Sequence, residues 1–115
     1  MSSQNQPIEL YIPINTKQEG QLSVQGRIRI DGHFIGNLYT ESSLEIGPHG
    51  CLEGDADVVF ADINGRLKGK LLVHEFCTLR HRSSFEGLLD TPLAQMEKGC
   101  RFKGEVRIRG SVSDE

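Results

Sequence analysis

A six-residue phrase recurs through this chain at an interval too short for a pair of helices. It has the form X-Φ-x-Gly-x-Φ, with Φ apolar. It reads HFIGNL at 33–38, CLEGDA at 51–56, RLKGKL at 66–71, SFEGLL at 84–89 and RFKGEV at 101–106. The repeat glycines, Gly36, Gly54, Gly69, Gly87 and Gly104, are separated by 18, 15, 18 and 17 residues. Helical-repeat families need more than about thirty residues per unit. Beyond each glycine the alternation continues, as in Leu71-x-Val73 and Val106-x-Ile108, and a second alternating pair precedes each motif: Ile28/Ile30, Leu44/Ile46, Ala61/Ile63, Cys77/Leu79, Ala94/Met96. Period-two patterning means strand with one buried face.

Turn residues separate the segments. Asp31-Gly32 and Asn64-Gly65 suit tight turns, and Gly47-Pro48-His49-Gly50 and His81-Arg82-Ser83-Ser84 suit wider ones. A meander of hairpins would reverse direction at each turn, whereas these units recur head to tail in one sense. The expected fold is therefore all-β: a single-domain parallel β-helix of about five to six coils, stacked about 4.8 Å apart. The motif glycine is expected to face inward, where a side chain would crowd the core. The outward position before it reads Ile35, Glu53, Lys68, Glu86, Lys103. Its alternating sign favours the register that aligns the glycines.

The 115 residues make one domain, expected as a flexible tail over 1–20, a β-helix over 21–110 and a short tail over 111–115. A net charge of −3 and the lack of aromatics among the basic clusters Arg80-His81-Arg82 and Arg101, Lys103, Arg107, Arg109 argue against a nucleic-acid partner. Three cysteines without metal-motif spacing, with no apparent secretory signal or membrane span, suggest a cytoplasmic protein with reduced thiols.

Residues GRIRIDGHFIGNL (26–38), followed by LEIGPHGCLEGD (44–55), resemble the bactofilin pattern, and the likeness extends over about residues 22–110. The resemblance implies a right-handed, three-sided β-helix that polymerises without nucleotide into non-polar filaments. It also implies a bacterial cytoskeletal scaffold at the inner face of the cytoplasmic membrane, serving cell shape or envelope synthesis. The partners implied are the chain itself, the membrane surface and envelope-synthesis or peptidoglycan-modifying proteins. The coil around Asn64-Gly65 is shorter than the others, and the C-terminal tail SVSDE is brief.

An uncapped β-helix exposes unpaired backbone at both ends. The sequence offers no capping helix, so end-to-end assembly is expected, with Phe102, Val106 and Ile108 at one junction and Leu22, Val24 and Ile28 at the other. The residues preceding three upstream pairs, Phe60, Phe76 and Leu93, form either an outward lateral stripe or corners tucked into the core. Near the N-terminus, Ile8, Leu10, Tyr11, Ile12 and Ile14 make an apolar segment with three fates: membrane contact, an added strand, or disorder.

Enzymatic readings find no support. His33, His49 and His81 fall in turns and His74 at another corner, so no metal site is expected; Asp55, Asp57 and Asp62 read as solvated face charges. The sustained six-residue period of hexapeptide acyltransferases, a phosphate loop and a nucleophile signature are all missing. No catalytic residue, cofactor or small-molecule substrate is assigned. The alternative to a structural polymer is a non-polymerising adaptor that presents a rigid binding face.

Overall fold

The alternating segments form ten strands in one parallel sheet wound into a solenoid of about six turns. The structure, a computed structural model, describes residues 8–108; the 111–115 tail and Arg109 lie outside them. The strands are β1 (Ile8–Ile12), β2 (Lys17–Val24), β3 (Arg27–Ile30), β4 (His33–Thr40), β5 (Ser43–Ile46), β6 (Cys51–Ile63), β7 (Arg66–Leu79), β8 (Ser84–Thr91), β9 (Ala94–Met96) and β10 (Arg101–Ile108). The upstream pairs stack as β1-β3-β5, continuing through the second halves of β6 and β7 to β9. The glycine motifs stack as β2-β4, then the first halves of β6 and β7, then β8 and β10.

Because successive coils are in register, each inward position becomes a column. Ile12, Ile30, Ile46, Ile63 and Leu79 form one, and Phe34, Leu52, Leu67, Phe85 and Phe102 another. All ten except Phe102 are fully buried, in one continuous core. Burying each such side chain contributes about 1.5–3 kcal/mol. Thr40 and Thr91 occupy core positions and satisfy their hydroxyls locally. Thr40 Oγ1 donates to the Gly26 carbonyl at 2.6 Å and accepts from the Ser42 amide, while Thr91 Oγ1 donates to the Leu93 carbonyl at 2.8 Å. Both bonds fasten a corner of the coil.

Two sequence expectations change. Residues 8–12 and 17–24 are strands of the first coil, so the β-helix begins inside the segment expected as a flexible tail over 1–20. The pairing of Gly20 with Gly36 adds a sixth member to the glycine column. The repeat glycines also do not face inward because of core crowding. Gly36, Gly54, Gly69, Gly87 and Gly104 have φ between +129° and +135°, and a Cβ at each would lie about 2 Å from the carbonyl oxygen of the glycine one coil earlier. The missing side chain would thus point along the stack into backbone. Both the conformation and the close approach demand glycine.

Cys77 is fully buried in the column Ile28, Leu44, Ala61, Cys77. Burial pushes its thiol pKa up from 9.0 to about 12. The unfolded chain therefore loses this proton first, and stability declines as pH rises from about 9 towards 12. Replacing Cys77 with Val should lessen that alkaline decline in denaturant titrations. Ellman's reagent should modify Cys51 and Cys100 but reach Cys77 only after unfolding; rapid native modification of all three would contradict this packing.

Candidate assembly surfaces

Among the described residues, the last coil leaves β10 paired on one side, with β8. Phe102 lies flat on Phe85, ring centroids 4.9 Å apart and planes 8° from parallel. Its other face has no aromatic partner among the described residues. Phe102 and Val106 are half-buried, whereas Ile108 and Met96 are exposed. The C-terminal trio named from sequence is therefore brought to one end, and Met96 joins it. The sequence pattern placed Met96 as the inward member of the last upstream pair; it continues the column below Leu79 and is exposed because no further coil covers it among the described residues.

At the opposite end, among the described residues, β2 pairs only with β4 and β1 only with β3. Leu22 and Val24 are half-buried there, as expected of an end layer. Ile28 is not part of that layer. It is fully buried because Leu10 of β1 lies over it. The extra coil moves the terminal layer outward to Leu10, Leu22 and Val24, and Gln18 occupies the core column above Phe34.

The same coil takes up the N-terminal segment as an added strand, one of the three fates expected for it. Ile12 is buried in the core and Leu10 packs against it. Tyr11 and Ile14 remain exposed, and the Tyr11 hydroxyl donates to Asp31 at 3.1 Å. The Ile8 side chain lies outside what the structure describes.

On the flank, Phe60 pairs with Phe76, and the Cys77 amide donates to the Leu93 carbonyl. Phe60 and Leu93 are exposed and Phe76 half-buried, so the three form an outward stripe and are not tucked corners. The neighbouring wall is ionic. Arg80 grips both carboxylate oxygens of Asp62 at 2.9 Å and reaches Glu97 at 3.1 Å. These hydrogen bonds raise the Arg80 pKa above its ordinary value. Arg29 similarly joins Asp31 and Glu45. Arg80 is thereby committed within the basic cluster, and Asp62 within the acidic one. Asp57 accepts from His74 at 2.7 Å.

In the alternating outward column, only Lys68 and Glu86 approach within ion-pair range, at 3.9 Å. Such an exposed contact contributes at most about 1 kcal/mol. Glu53 turns away from Lys68 to His33, 3.5 Å distant. His33 and Cys51 are register partners on consecutive coils, so His33, Cys51 and Glu53 place their donor atoms within 4.8 Å of one another. Sequence spacing concealed this cluster. Reading the first motif column, Lys17, His33, Cys51, Arg66, Ser84, Arg101, would have exposed the His–Cys adjacency. Desolvation, followed by the nearby Glu53 charge, raises the Cys51 thiol pKa.

The chain has no significant match among curated proteins or solved structures. The family model described as bactofilin, polymer-forming cytoskeletal, matches residues 10–107. That span takes in both terminal coils and the whole glycine column from Gly20 to Gly104, and it agrees with the six-turn parallel solenoid. This chain therefore belongs to the bactofilin family of polymer-forming cytoskeletal proteins.

Proposed function

We propose that the chain joins end to end, without nucleotide, into non-polar filaments. These form a scaffold at the inner face of the cytoplasmic membrane for proteins of cell shape or envelope synthesis, including peptidoglycan-modifying proteins. The observation that carries end-to-end joining is the state of the terminal coils. Among the described residues, the outer edges of β1, β2 and β10 pair with no other strand, and each terminal coil presents partly buried apolar side chains. Edges of this kind template pairing with another chain. Like-to-like joining, and hence the lack of polarity, follows from the family resemblance.

Negative-stain microscopy of the purified protein in plain buffer should show filaments one solenoid wide, appearing above a threshold concentration without added nucleotide. A stable monomer at high concentration would overturn the polymer reading. It would favour instead the adaptor, for which the outward Phe60–Phe76–Leu93 stripe supplies a binding face. Sedimentation of the filaments with vesicles tests membrane association separately.

A further inference from the structure

Beyond its role as a polymer subunit, the solenoid carries a side-chain cluster on coils inside its terminal layers. His33 opens β4, while Cys51 and Glu53 lie at the start of β6. Parallel pairing sets His33 opposite Cys51. Three different metal-binding donors, an imidazole nitrogen, a sulfur and a carboxylate oxygen, thus converge from two consecutive coils. The Nε2 atom of His33 is shielded from solvent and makes no hydrogen bond, although the Glu53 carboxylate stands 3.5 Å away. This orphaned nitrogen is a second observation, separate from the clustering. A polar atom shielded from water without a hydrogen bond loses hydration that is not fully replaced.

We propose that His33 Nε2, Cys51 Sγ and a Glu53 carboxylate oxygen bind a divalent cation of the zinc class. Zinc takes tetrahedral nitrogen, sulfur and oxygen ligands at about 2.0–2.3 Å, which sets neighbouring donors about 3.3–3.6 Å apart. The His33–Glu53 separation already matches such an edge, and the widest separation in the trio is under 4.8 Å. Side-chain rotation closes the remainder, with no change in the paired backbone. The mixed donor set favours zinc over magnesium or calcium, which prefer oxygen. A fourth position is left for water or His49. His49 lines the same shallow depression as His33, Cys51 and the turn at 14–17. Lys68, the register partner of Glu53, leans instead towards Glu86. As the metal–sulfur bond forms, the Cys51 thiol releases its proton to solvent, leaving the thiolate as ligand. Oxidation state does not change. The bound ion adds a link between coils that meet here through the backbone ladder and the His33–Glu53 contact, so it stabilises the folded form in proportion to its affinity.

Untagged full-length protein, stripped of metal under reducing conditions, is titrated with cobalt(II) and then zinc(II). The expected result is about one equivalent bound per chain, with a thiolate-to-cobalt charge-transfer band that zinc removes and excess magnesium does not. H33A and C51S should each weaken binding at least about tenfold, and C51S should abolish the charge-transfer band; E53Q should weaken binding less. C100S should bind normally, and circular dichroism checks that every variant remains folded. No charge-transfer band from folded wild-type protein, or the same band from folded C51S, overturns the assignment. The wild-type spectrum decides the matter even if a variant fails to fold. Filament formation plays no part in the readout, so failure of the polymer reading is detected separately.

Discussion

Gly69→Ala should lower the melting temperature by about 10–20 °C. The residue sits mid-stack with φ +129°, and the added methyl carbon would begin 2.0 Å from the Gly54 carbonyl oxygen. The left-handed conformation alone costs about 1–2 kcal/mol for a residue with a Cβ. The carbonyl belongs to a paired backbone and cannot swing aside as a side-chain tip can, so the coils must separate locally. Roughly 3 kcal/mol in total is expected, and a domain of this size loses about 4 °C or more for each kcal/mol. Gly20→Ala provides the comparison. Its φ is +135°, but nothing lies within 4 Å of the added atom. It should carry the conformational penalty alone and lose only a few degrees. Measurements below the filament threshold keep assembly from masking the difference. Equal losses for the two variants would remove the carbonyl contact from the explanation.

Phe102→Arg should raise the threshold concentration for filaments by about a hundredfold or more, which corresponds to roughly 2.7 kcal/mol per junction. The substitution places a charge in the terminal apolar layer, where joining would strip its water. It also removes the stack on Phe85, so some loss of stability in the last coil is expected. In a solenoid that loss stays near the end, because each coil touches only its neighbours. Circular dichroism should therefore remain strand-like. Ile108→Arg tests the same face without disturbing the ring pair, since Ile108 is exposed. Pelleting and microscopy would read out both. Undiminished filaments from both variants would sink the placement of a junction at this end.

The coil order was legible because five apolar-x-Gly-x-apolar phrases kept their spacing. What escaped was the first coil, and Gln18 explains why. Lys17-Gln18-Glu19-Gly20-Gln21-Leu22 has the motif's glycine and its following apolar residue, but an amide stands where the others have Phe or Leu. The 16-residue interval from Gly20 to Gly36 was the remaining signal. Missing that coil also misplaced Ile28 at an end and left the segment around Ile12 undecided between membrane contact, an added strand and disorder. The stripe of Phe60, Phe76 and Leu93 was legible from alternation, whereas the His33–Cys51–Glu53 cluster was not. Cys51 and Glu53 lie two residues apart on one strand, but His33 joins them through inter-coil register, which shows only when the motif columns are read from coil to coil. The glycine requirement was legible too, but its cause was not: the obstacle is a carbonyl one winding away.

The unlike residues that finish the Phe34 column among the described residues, Gln18 at one extreme and Phe102 at the other, have a kinetic consequence if like ends meet. One joint then brings two aromatic rings face to face, while the next brings together two amides that must exchange their hydration for each other. Such a polymer has strong and weak links in strict alternation. It would lengthen by twos, and under strain it would part at the amide-lined seams, shedding intact pairs before single chains.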